Sequence, residues 1–271
     1  MHEPMLPSRV SGVDFSGAKH AGHTIWIAGG EVQGDTLRID DCRPAASLPA
    51  SGKDRDIALA ALRTFILEQT PCAVGCDFPF SLPQVHVTEP SWEAFVHEFA
   101  GNHPTPEAFK RWSLERGGGR ELRRATDCDA RTPFSAYNLR LYRQTYFGIR
   151  DLLAPLVATG QVSVLPMQPP VPGRTWLLEI CPASTLKSLG LYVPYKRADT
   201  SAVREGLLTT LAQDVRVVVS DAVRGAVVRD HKGDALDSVI AAITTWRVLP
   251  EASQLRCEDG RLAAIEGYVF V

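Results

Sequence analysis

No window of the 271 residues approaches the roughly 18 to 20 consecutive apolar positions that a membrane-spanning helix needs. The opening residues, MHEPMLPSRV, lack the apolar core of a signal peptide. These two absences create the expectation of a soluble, cytoplasmic protein with no membrane partner. The six cysteines include no C-x-x-C pair and have no histidine nearby at zinc-ligand spacing, which argues against a structural zinc and against a disulfide framework. Cys72 and Cys76 flank a strand-like run and read as small core residues. There is no G-x-S-x-G elbow, no H-E-x-x-H helix and no spacing that favours a serine triad. Internal repeats and low-complexity tracts are missing too.

What remains is ordinary in bulk, with 45% hydrophobic and 22% charged residues, and the length allows one large domain or two small ones with enough apolar surface to fold unaided. The net charge of −2 conceals an asymmetry. Between Lys110 and Arg150 there are ten basic and four acidic residues, a local balance of +6, so the rest of the chain is acidic. A basic lobe on an acidic body is one reading, and a solvated helical face is the other.

Segments 9–15, 23–28 and 36–41 have strand character, with Gly29, Gly30 and Gly34-Asp35 as turn chemistry between the last two. The simplest arrangement is an antiparallel meander. Residues 55–69 place Ile57, Leu59, Leu62, Phe65 and Ile66 mostly on one helical face. A short apolar strand, 72–76, then ends on Asp77 and is broken by Pro79 and Pro83. Residues 91–160 hold helical stretches, including one expected from Ala136 to Leu156, but no clear strand. A strand in RTWLLEICPAST, 174–185, ends on Glu179, and a helix around 200–213 leads into VRVVV at 215–219. The strongest helix is 232–248, where Leu236, Val239, Ile240, Ile243 and Trp246 form one apolar stripe. Alternating strands and helices late in the chain imply parallel strands, so an α/β fold with a mixed sheet is expected.

Acids stand at three strand ends: Asp14, Asp77 and Glu179. Asp234 and Asp237, three residues apart at the start of the late helix, share a flank beside its apolar stripe. Taken singly, each acid has a plain structural role as a turn former, an arginine partner or a complement to the helix dipole. Taken together they can converge at one sheet rim, where mutual repulsion is costly unless cations neutralise it. Hard oxygen ligands suit Mg²⁺ or Mn²⁺, which can activate water for phosphodiester hydrolysis. Arg120, Arg123 and Arg124, beside the Gly117-Gly118-Gly119 break, are candidates for holding substrate phosphates, and Tyr195-Lys196-Arg197 offers a further contact through Lys196. His231, three residues before Asp234, is a weaker candidate for proton transfer.

The stretches GVDFSGA, VGCDFPFSLP, RRATD, LLEICPA and HKGDALDSVIAAI, in this order and over nearly the whole chain, resemble the family named domain of unknown function 429 (DUF429), a group of predicted nucleases of the ribonuclease H-like superfamily. The resemblance implies a single ribonuclease H-like domain over residues 1–271. Its core would be a five-stranded mixed sheet with three antiparallel strands first, flanking helices, and a basic helical insertion at about 88–165. Asp14 matches the first-strand acid and Asp77 the fourth-strand acid, while Asp234 and Asp237 are similar to the late-helix pair of resolvases of the RuvC kind. Those resolvases usually carry glutamate on the fourth strand; here a shorter aspartate precedes Phe78-Pro79. Actin-like ATPases and sugar kinases share the core but pair two copies of it, whereas only one meander is found here.

The expectation is therefore a metal-dependent nuclease. Asp14, Asp77, Asp234 and Asp237 would be catalytic, and these four with Glu179 would be the metal ligands. Nucleic acid, DNA or RNA, would be the partner. The alternative is a non-catalytic ribonuclease H-like module that binds nucleic acid or a small phosphorylated ligand.

Overall fold

A computed structural model describes residues 6–213, 216–255 and 262–271. The chain opens with β1 (Arg9–Asp14), β2 (Trp26–Gln33) and β3 (Thr36–Pro44), an antiparallel meander. Gln33 pairs with Thr36 across the two-residue turn Gly34-Asp35, and Gly34 takes the positive φ of 65° that such a turn demands. Gly29 and Gly30 are not turn residues as expected. They lie inside β2 at a bulge, where the register against β3 shifts.

Helix α1 (Arg55–Glu68) buries Leu59, Leu62 and Ile66, while Ile57 is 48% exposed because it sits about 200° round the helix from Leu59. Strand β4 (Cys72–Cys76) then pairs in parallel with β1, Cys72 opposite Arg9 and Cys76 opposite Val13. Both cysteines are fully buried, as expected of core residues.

The insertion contains α2 (Trp92–Asn102), α3 (Pro106–Arg116), α4 (Ala125–Asp129), α5 (Tyr142–Phe147), a π-helical turn (Gly148–Leu153) and α6 (Ala154–Ala158). Ser91 and Thr105 cap α2 and α3 by accepting hydrogen bonds from Ala94 and Ala108. The helix expected from Ala136 begins only at Tyr142, because the Asn138 side chain bonds the Arg140 amide and holds that segment in a turn. The last residues assigned to the insertion form β5 (Val162–Leu165), which pairs in parallel with β6 (Thr175–Ile180).

Helices α7 (Pro182–Ser188) and α8 (Ser201–Ala212), strand β7 (Val217–Val219), helices α9 (Asp221–Arg229), α10 (Asp234–Gln254) and α11 (Ala263–Glu266), and strand β8 (Val269–Phe270) complete the described chain. The sheet has eight strands rather than five, in the order β5-β6-β4-β1-β2-β3-β7, with β8 paired to β6. Only β2 runs antiparallel to its neighbours. The three added strands, β5, β7 and β8, are four, three and two residues long, too short to show a period in sequence.

One face of the sheet packs against α1 and the aromatic core of the insertion, which includes Phe95, Phe99, Phe109 and Tyr146. The other packs against α10, whose Leu236, Val239, Ile240 and Ile243 are buried, together with α8 and α9. Two glycines permit the close approach of α10 to the sheet. A Cβ on Gly12 of β1 would lie 2.1 Å from the Ser238 carbonyl oxygen, and one on Gly75 of β4 would lie 2.0 Å from the Thr245 hydroxyl. Among the described residues no helix is long and apolar enough to cross a membrane.

Candidate metal centre

The parallel pairing of β1 and β4 brings two acids to the same rim. Asp14 is the last residue of β1, and Asp77 follows β4 directly, its amide donating to the Val13 carbonyl at 2.9 Å. The Gln144 side chain donates to the Asp77 carbonyl and ties α5 to this strand end. Asp237 arrives from the first turn of α10, which rests on β1 and β4 at the glycines described above. One carboxylate oxygen from each of Asp14, Asp77 and Asp237 lies within 4.8 Å of the others, so the three are placed to hold a metal ion.

The three acids differ in what surrounds them. Asp237 is almost fully buried; its Oδ1 accepts the Tyr195 hydroxyl at 2.5 Å and its Oδ2 is paired with the Lys196 ammonium. Asp14 is only 7% exposed, and among the described residues no donor serves its carboxylate. Burial, with the charges of Asp237 and Asp234 behind it and Lys196 opposing, holds the Asp14 carboxyl well above the usual carboxylate range. Burial and Asp237 push Asp77 up to about 7, against the pull of Lys196. A carboxylate with no protein donor, beside two others, is a donor set that a hard cation would complete.

Asp234 stands outside the 4.8 Å group, half-buried at the start of α10, though its charge reaches Asp14. Burial, then Asp230, raises it to about 6. His231 is exposed on the turn before α10.

Glu179 is not with the three acids, which corrects its assignment as a ligand. It is the penultimate residue of β6, and Arg124 grips it with Nη1 on Oε2 at 2.8 Å and Nη2 on Oε1 at 2.5 Å, while the Phe80 amide donates to Oε2 at 2.9 Å. Arg124 in turn is fully buried rather than offered to phosphate. It also binds Asp127 and donates to the Glu266 carbonyl, and the two acids hold its guanidinium charged although burial opposes it. The desolvation cost of an isolated buried guanidinium explains why it gathers so many acceptors. Only the Asp three residues after Arg124 hints at this pairing in sequence.

Arg120 and Arg123 do remain exposed, and Arg123 donates to the Pro133 carbonyl at 3.1 Å. Lys196, a phosphate contact by expectation, sits on Asp237 instead, with about half of its side chain still exposed. Nothing local in sequence marks its neighbour Tyr195 as the donor to Asp237. Beside the acids opens a recess of about 460 Å³, lined by Asp77, Asp237, Gln144 and Lys196 among others. Arg140 and Arg197 are among its other lining residues.

Comparison of this chain with protein-family models, with curated proteins and with solved structures returned no match.

Proposed function

We propose that this protein is a metal-dependent phosphodiester hydrolase of ribonuclease H-like architecture, acting on nucleic acid with Mg²⁺ or Mn²⁺. The observation that carries the reading is the convergence of Asp14, Asp77 and Asp237 within 4.8 Å, with Asp14 only 7% exposed and its carboxylate without a donor among the described residues. The strand order β3-β2-β1-β4-β6, with β2 alone antiparallel and the acids at the ends of its two central strands, supports it. So does the resemblance in sequence to DUF429. A bound divalent ion supplies a water of lowered pKa and neutralises charge at the leaving oxygen. Asp14 and Asp77 would hold the ion from the strand ends. Tyr195 and Lys196 fix the rotamer of Asp237 so that it would share the load, and the half-exposed Lys196 would also be available to a substrate phosphate. Asp234 stands close by as a further acceptor.

The same Lys196 contact favours a second reading, a non-catalytic module, because an ammonium on Asp237 offsets part of the repulsion without any metal. Incubation of pure protein with mixed labelled DNA and RNA, in Mn²⁺ and in chelator, separates the two. Cleavage that needs Mn²⁺ and disappears in Asp14→Asn is the expected result. Mn²⁺ binding seen by calorimetry with no cleavage of any substrate would leave only the module.

A further inference from the structure

The recess beside the acids has a mixed lining. It combines Asp77, Asp237, Gln144 and Lys196 of the acid cluster with Phe134 and the exposed Tyr192, Val193 and Pro194, and Arg140 and Arg197 line it as well. Tyr192 is 53% and Val193 42% exposed, so this part of the lining offers apolar surface to a ligand. Arg140 stands over the Phe134 ring at 5.5 Å and Lys187 over the Tyr192 ring at 5.4 Å, so each aromatic comes with a cation. Aromatic faces interleaved with cations, leading to a group of metal-ligating acids, match what an unpaired nucleotide presents: a flat base and a phosphate. The volume of about 460 Å³ lies within the roughly 300–1,000 Å³ range of recesses that enclose one small ligand.

We infer that the recess takes one unpaired nucleotide, so that the substrate is single-stranded nucleic acid. This rests on the phosphodiesterase reading of the acids. A base stacks at Phe134 and Tyr192 while its phosphate reaches inward past Arg197 and Lys196 to the acids. The adjoining strand leaves over Pro133, whose carbonyl is held by Arg123, and so passes onto the basic segment. A paired strand keeps its bases in the stack and would have to turn one out before entering.

Fluorescence anisotropy in chelator, with labelled 12-residue single-stranded DNA, single-stranded RNA and the corresponding duplexes, tests the inference without interference from cleavage. Single strands should bind at least about tenfold more tightly than duplexes, and the DNA and RNA arms show which sugar is preferred. Tyr192→Ala, at a side chain already largely in solvent, should weaken single-strand binding roughly 5- to 150-fold, and Phe134→Ala by a similar factor, with duplex binding little changed. Equal affinity for duplex, unchanged binding in both variants, or competition by a nucleoside monophosphate as strong as by the oligonucleotide would each overturn it. Cleavage in Mn²⁺ is scored separately. Single-strand preference without cleavage sustains the inference about the ligand and removes the hydrolase, whereas cleavage with no strand preference does the reverse.

Discussion

Replacing Asp14 by Asn should stabilise the metal-free protein. At 4.8 Å and an effective dielectric constant near 20, two unit charges repel by about 3.5 kcal/mol. Asp14 faces two acids, but Lys196 offsets the charge on Asp237, and Asp77 and Asp14 are both held above the usual carboxylate range, so protonation already relieves part of the repulsion. That leaves on the order of 2–3 kcal/mol to be relieved by the neutral amide. For a chain of this size each kcal/mol moves the melting midpoint by about 2 °C, so Asp14→Asn should melt roughly 4–6 °C above wild type in chelator at pH 7.5. With Mn²⁺ at about a hundred times its Kd, wild type should gain about 2.7 kcal/mol and rise by roughly 5 °C. The variant should lose most of that rise. Scanning calorimetry of both proteins in chelator and in Mn²⁺ is the assay. A variant that melts lower than wild type in chelator, with Mn²⁺ moving both proteins equally, would show that Asp14 is an ordinary strand-end residue and refute the reasoning.

The raised Asp77 and Asp234 carry a pH dependence whose sign is fixed. Both bind protons in the folded state that the unfolded chain releases near pH 4, so their contribution to stability is present at low pH and is lost as pH rises through about 6 and 7. In chelator, Asp77→Asn should therefore gain on wild type between pH 5 and 8 in urea melts; a constant difference would contradict the assignment. Arg124→Met should cost about 3–5 kcal/mol, or roughly 6–10 °C, because it strands Glu179 and Asp127 as buried charges. A destabilisation under about 1 kcal/mol by denaturant titration would mean that water reaches the network. Arg120→Ala with Arg123→Ala should leave the melting point unchanged and lower the salt slope of nucleic-acid binding by roughly 0.7–0.9 for each phosphate that is no longer neutralised. An unchanged slope removes both residues from the interface.

The acids at the rim were legible because Asp14 and Asp77 each close a short apolar run and are followed, one phenylalanine later, by Ser16-Gly17 or by Pro79, a pattern that survives without any knowledge of neighbours. Helix α10 was legible through its stripe, and with it Asp234 and Asp237. The partition of the acids was not. Whether Glu179 joins the metal group or an arginine depends on α4 folding back against the end of β6, a contact 55 positions away in sequence. Arg123 and Arg124 are adjacent and chemically identical, and a segment without periodicity gives no sign that one faces solvent and the other is fully buried. Tyr195 and its acceptor Asp237 are 42 positions apart, so their hydrogen bond had no local signature either. Strands β7 and β8 offer three and two residues, and their assignment follows from the partner that pairs with them.

The joint between α10 and the sheet has a consequence for ion choice. At Gly12 the helix meets β1 through main-chain atoms of Ser238 and Ala242, with no side chain whose rotamer could take up slack. On the metal reading, the aperture among Asp14, Asp77 and Asp237 is then gauged by van der Waals radii. Ions differ in the oxygen distance they accept, about 2.0–2.1 Å for Mg²⁺ and about 2.3–2.6 Å for Ca²⁺. Selection between them would thus be settled at the contact between helix and strand, and a single methyl group added at Gly12 would act on ion size from a position that never touches the ion.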